Sequence, residues 1–244
     1  MKTNNKSNVI PSLVIMKREL SAYFTSPIAY IVIGLFLGFS GFLLFSIFFL
    51  AQRAEIRQFF NNLPLLFAFF IPAITMRLFS EEQKTGTMET LMTLPLKTID
   101  VVIGKLLASF IFTVIMLAPT ILYAISASFF GSLDIGATMC GYLGSVLLAL
   151  AFCAIGNFAS VVTKNQIVAF FIAFSICIVL VMVDQFMIFF PAPVVAFMQN
   201  LSAGSHFMSI ARGIIDSRDL LYFISVTAVF FILTAKTLKT RKES

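Results

Sequence analysis

The sequence predicts an all-α membrane protein of six transmembrane helices, and three observations carry that prediction. Hydrophobic residues make up 59% of the 244 positions and charged residues 11%; mean hydropathy is +1.00, far outside the soluble globular range. The apolar residues are gathered into runs of about 18 or more, the length a ~30 Å hydrocarbon core asks of a helix. Those runs lack the period-two alternation of a barrel strand, so their backbone groups have to be satisfied inside helices.

Residues 1–26 are polar and basic, and the apolar run after them is too long for the h-region of a cleavable signal and lacks a small-residue cleavage site. Within this segment Leu13, Met16, Leu20, Tyr23 and Phe24 recur near helical spacing, with charges clustered between. The pattern predicts an amphipathic helix lying on the inner membrane surface and ended by Thr25-Ser26-Pro27.

The first span is expected over 27–50, where Gly34-x-x-x-Gly38 fits a close helix contact, as do Gly141, Gly144 and Ala149 in the fourth. The second covers 59–79 and contains Pro64 and Pro72, which kink it or start it late. The third, 101–130, is interrupted by Pro119; a turn from Gly131 to Asp134 leads into the fourth, 136–162, making a tight hairpin. After Thr163-Lys164-Asn165-Gln166 the fifth runs over 167–190 and stops at Pro191-Ala192-Pro193, and the sixth is 220–238. The stretch between them, 191–219, mixes apolar residues with Asn200, His206, Arg212, Asp216, Arg218 and Asp219. It is too polar to span and too apolar for a free loop, which predicts short extracytoplasmic helices, re-entrant or interfacial.

Six spans put both termini on one side. Thirteen of the 17 Lys and Arg residues fall there; Arg53, Arg57, Arg212 and Arg218 make up the rest. The positive-inside rule then makes the termini, the 80–100 segment and the Lys164 turn cytoplasmic, in a multi-pass protein of the cytoplasmic (inner) membrane. The net charge of +6 needs no nucleic acid to account for it.

Catalytic chemistry is absent from the sequence: it holds no G-x-x-x-x-G-K-[ST], H-E-x-x-H or G-x-S-x-G and no paired carboxylates inside a span. The chain is read as non-catalytic, with no cofactor and no metal of its own. Cys140, Cys153 and Cys177 lie in apolar runs without metal-ligand spacing and read as small hydrophobes. His206, the sole histidine, reads as a solvated interfacial side chain. Asp184 is the one carboxylate in an apolar run and a candidate intramembrane polar site. It also stands about 9 Å of helix from Phe190, so a place near the headgroups is also open to it.

The non-lipid chemistry is concentrated in residues 80–100, S-E-E-Q-K-T-G-T-M-E-T-L-M-T-L-P-L-K-T-I-D. Gly86 allows a tight turn, Thr87 can cap a helix, Glu89 suits its first turn, Met88, Leu91 and Met92 form an apolar stripe, and Pro95 ends it. Glu81, Glu82 and Lys84 add a polar rim, and an apolar centre with a charged rim is the composition of a protein interface. The segment reads as a short docking helix for a soluble partner.

That stretch, followed by Val102-Ile103-Gly104-Lys105, resembles the signature of ABC-2 type transporter permeases, and K-R-E-L-S-A-Y-F-T-S-P-I-A-Y resembles the N-terminal elbow of the same family. The resemblance covers essentially the whole chain and leans toward the subgroup of gliding-motility and nitrous-oxide-reductase-maturation permeases. It implies a half-transporter: two six-span subunits, identical or related, seated on two separate ATPase subunits that bind ATP and magnesium. It also implies that the helix between spans two and three inserts into a cleft of the ATPase. Gly86, Thr87, Glu89, Leu91 and Pro95, with Glu81, Glu82 and Lys84, are then the coupling residues, and spans two and five form the subunit contact and translocation path. Export or movement of a substrate, lipidic or amphipathic, is the expected function. The alternatives are an ATP-driven adaptor acting on an extracytoplasmic accessory protein through 191–219, and an ion-gradient carrier, which would want ionisable groups at mid-membrane.

Overall fold

The computed structural model describes residues 11–51, 56–88, 97–130, 134–186 and 192–243. Among them every regular element is helical: α1 (Pro11–Thr25), α2 (Pro27–Ala51), α3 (Arg57–Thr75), α4 (Arg77–Thr85), α5 (Thr98–Leu117), α6 (Ile121–Phe130), α7 (Ile135–Val162), α8 (Gln166–Phe186), α9 (Ala192–Leu201), α10 (Ala203–Ala211) and α11 (Ser217–Glu243). Six segments are long and apolar enough to cross a membrane: Pro27–Ser46, Arg57–Thr85, Thr98–Phe129, Ile135–Val162, Gln166–Gln185 and Ser217–Arg241.

α7 is the axis of the bundle, packed against α3, α4, α5, α8, α10 and α11. Its sequence permits so many neighbours because its buried positions include Gly141, Gly144, Ser145, Ala149, Ala151, Ala154, Gly156, Ala159 and Ser160, small residues that let helix backbones approach. A Cβ on Gly156 would stand 1.9 Å from Thr75 Oγ1, and one on Gly141 2.7 Å from the Phe60 ring.

The prolines act differently. Pro119 produces a single 3-10 turn, Ala118–Thr120, where α5 passes into α6. Pro64 and Pro72 both lie inside α3, and the helix pauses at Met76 before resuming as α4. The helical run that begins at Arg57 therefore continues to Thr85, six residues past Phe79, with α4 packed on α7 and α8 and Ser80 and Gln83 buried.

The structure shows how α1, the glycines of the first span and the segment between spans five and six pack. Ile15, Ser12 and Tyr23 are the buried side chains of α1, while Leu13 is 45% exposed. The face of α1 is set by its crossing of α5: a Cβ on Gly104 would meet Ile15 Cβ and the Ser12 carbonyl, each at 2.8 Å. Gly34 and Gly38 have no neighbour within 4 Å, so within this chain they make no close helix contact; Gly41 meets the Tyr123 hydroxyl instead. The fragment between spans five and six forms the two short helices α9 and α10, and α10 packs on α3, α7, α8 and α11.

Candidate functional site

The polar segment leaves the bundle through α4, and α4 is held on three sides. On the first, α1 and α5 contribute an ion cluster. Lys105 has no exposed side-chain surface and places Nζ 3.0 Å from Glu82 Oε1 and 3.1 Å from Glu19 Oε1. It also donates to the Leu78 carbonyl at 2.5 Å and stands 4.9 Å from the Phe79 ring centroid. Arg18 bridges the same two carboxylates, at 2.7 Å from Glu19 and 3.0 Å from Glu82. Two cations against two carboxylates make the cluster neutral, which is what burial requires.

Burial pushes the Glu19 carboxyl upward, but the attraction of Lys105 and the hydrogen bonds from Arg18 and Lys105 win, and its pKa falls below the ordinary value. The hydrogen bond to Glu19, opposed by burial and assisted by both carboxylates, raises that of Arg18. Next to the cluster the Tyr23 hydroxyl donates to the Ile74 carbonyl at 2.8 Å, and Arg77 lies 4.7 Å over the Tyr23 ring. Burial keeps that phenol well above its usual pKa, and so neutral.

On the second side α7 supplies Ser160. Because α4 starts anew at Arg77, its first N–H groups lack intrahelical acceptors. Ser160 Oγ accepts from the N–H of Phe79 at 2.9 Å and of Ser80 at 3.1 Å, and donates to the Met76 carbonyl at 2.9 Å. One hydroxyl uses its donor and both acceptor positions there. On the third side Gln83 donates to the Val161 carbonyl at 2.9 Å and accepts from Arg241 of α11; Arg241 also donates to the Val162 carbonyl at 2.8 Å. The last carbonyls of α7 are thereby satisfied from two other helices. Arg18 and Arg241 both reach α4, so the two described ends of the chain lie at one end of the bundle.

Of the residues singled out from sequence, Glu82 turns inward into the cluster, while Glu81 and Lys84 are exposed. Gly86 takes φ +75° after α4, the left-handed conformation that glycine adopts readily. Thr87 directs its hydroxyl back to Thr85 Oγ1 at 2.9 Å and to the Glu82 carbonyl at 3.4 Å. Met88 is buried in the core. Glu89, Leu91 and Pro95 lie outside the described residues.

Sequence reasoning missed Lys105, Ser160, Gln83 and Arg241 as members of this arrangement. The one available signal was Lys105 itself, a cation inside the apolar run Val101–Leu107, where an ionisable residue demands a partner.

At the opposite end, His206 is not a solvated side chain. Its Nδ1 is 2.6 Å from Asp219 Oδ1 and its Nε2 3.3 Å from the Asn200 carbonyl, and its ring stacks on Tyr222 at 4.3 Å. Asp184 lies beside them. With His206, Arg212, Arg218 and Asp219 it lines a cavity of about 570 Å³. Among the described residues no group of three His, Cys, Asp or Glu side chains is set to hold a metal ion.

Compared with known proteins, residues 42–244 match the family model described as ABC-2 family transporter protein. No curated protein matches the chain.

Proposed function

The chain belongs to the ABC-2 family of transporter proteins and is a membrane permease; on that premise we propose that it is the subunit through which a separate ATPase drives movement of a substrate across the cytoplasmic membrane. ATP and magnesium belong to the ATPase, since this sequence has no phosphate-binding loop. Nucleotide binding draws two ATPase subunits together, and each carries with it the segment that follows α4. The proposed contacts are Gly86, Thr87, Glu89, Leu91 and Pro95, with Glu81 and Lys84 at the rim.

The observation that supports this reading is the position of α4. A displacement of the segment after it cannot be absorbed by a loose hinge, because α4 is tied by buried ion pairs to α1 and α5, and by hydrogen bonds to α7 and α11. The movement is passed into the bundle as rigid-body rotation of helices. We assign the seam with a second permease, identical or related, to spans two and five. There Phe69 and Phe171 are exposed, and Phe69 packs on Phe170 and Phe174 at 5.6 and 6.2 Å.

The reading is tested by purifying the permease with its ATPase and comparing wild type with Glu89→Lys. Lost assembly or lost stimulation of ATP hydrolysis is expected. A fully stimulated Glu89→Lys complex would count against the assignment.

A further inference from the structure

The cavity at the end away from the termini is walled by α8, α9, α10 and the turn into α11, and its lining holds the carboxylates of Asp184, Asp216 and Asp219 together with Arg212 and Arg218; Asp216 Oδ1 accepts from the Arg218 N–H. Asp219 is only 5% exposed, and its Oδ2, which has no hydrogen-bond partner, belongs to a side chain lining the cavity. Oδ1 of the same carboxylate is taken by His206. Asp184 lines the same space, and its Oδ1 is likewise buried without a partner. A Cβ on Gly204, in the first turn of α10, would stand 2.7 Å from Asp184 Oδ2; this carboxylate thus lies against the N-terminal turn of α10. Arg212 and Arg218 line the cavity as well, and both are exposed.

Two buried carboxylate oxygens without partners are costly in an apolar bundle unless something donates to them. We propose that the cavity binds a zwitterionic aminophosphate group, its primary ammonium donating to Asp184 and Asp219 and its phosphate held by Arg212 and Arg218. A primary ammonium brings three donors and one positive charge; guanidinium groups suit phosphate oxygens. A metal ion fits poorly, since among the described residues no group of three His, Cys, Asp or Glu side chains is placed to hold one. The end of the bundle on which the cavity lies points to the headgroup of a membrane aminophospholipid, and a soluble molecule carrying phosphoethanolamine has the same chemistry. The proposal is independent of the ATPase reading.

The experiment uses the full chain in nanodiscs containing equal phosphatidylethanolamine and phosphatidylcholine, followed by extraction and quantification of the lipid retained. Wild type is expected to retain phosphatidylethanolamine about tenfold over phosphatidylcholine, whose quaternary ammonium has no N–H to donate. The Asp184→Asn/Asp219→Asn variant is expected to lose that preference. Arg212→Gln/Arg218→Gln leaves the carboxylates in place; it is expected to retain less of both lipids while keeping the preference, and it serves if the first variant fails to fold. Soluble phosphoethanolamine that displaces the lipid assigns a soluble source, and lipid retained against it assigns the membrane. Equal retention of the two lipids by wild type, or an unchanged preference in the Asp184→Asn/Asp219→Asn variant, overturns the proposal.

Discussion

Lys105 and Glu82 meet at 3.0 Å with no side-chain surface of Lys105 left to solvent, joining the third span to the last helical turns before the polar segment. One carboxylate oxygen of Glu82 takes the ion pairs, and the other is buried without a hydrogen-bond partner. Removing either partner leaves charge in a place that cannot solvate it.

The Lys105→Met variant is therefore expected to lose about 3 kcal/mol of stability, the cost of breaking a buried pair from one side. Thermal denaturation in detergent would register it. Combining Lys105→Met with Glu82→Gln should recover part of the loss, because the second change removes one of the stranded charges; a double variant less stable than the single would refute this account of the cluster.

Acid should loosen the same contact. Glu19 has its folded-state pKa below the ordinary 4.5, so its contribution is fully present above that value and is lost as pH falls through the lower, folded one. The thermal midpoint should hold between pH 7 and 5 and drop below about pH 4. Glu19→Gln should flatten that acid limb, as melting curves at stepped pH would reveal.

The Ser160→Ala variant withdraws the acceptor from Phe79 and Ser80 and the donor from Met76. A cost of about 1–3 kcal/mol is expected from the stranded backbone groups. Amide hydrogen exchange should quicken first at Phe79 and Ser80, ahead of the rest of α4. Unchanged protection at these two amides would show that they find another acceptor.

Glycine substitutions should separate by position. Gly156→Ala forces a methyl against Thr75, and Gly104→Ala forces one between Ile15 and Ser12; each should cost about 1–3 kcal/mol or more. Gly34→Ala and Gly38→Ala, with nothing within 4 Å, should stay within about 0.5 kcal/mol of wild type. Denaturation of the four variants side by side distinguishes them.

The bundle was legible because spans are written in composition: a hydrocarbon core needs about 20 apolar residues per helix, and the proline at 119 and the break at Thr163 punctuate them openly. What lay hidden were relations across long sequence separations. Polarity marks Phe79 as a boundary, whereas the helical run continues through Thr85, packed on α7. Nothing adjacent in sequence links Ser160 to Phe79 or Arg241 to Gln83. Gly34-x-x-x-Gly38 looked like a contact and Gly156 did not, since a small residue shows where an approach is allowed and not where it occurs. His206 and Asp219, thirteen residues apart, become partners only once α10 folds back against α11.

The central claim is that the segment after α4 is where the ATPase takes hold, and site-specific photo-crosslinking in the assembled complex tests it most directly. A photoreactive residue at Thr87 or Glu89 should join this chain to the ATPase, with a yield that changes when nucleotide is added, while one at Arg212 should not. An ATPase that copurifies and hydrolyses ATP yet gives no adduct from position 87 or 89 would contradict the account.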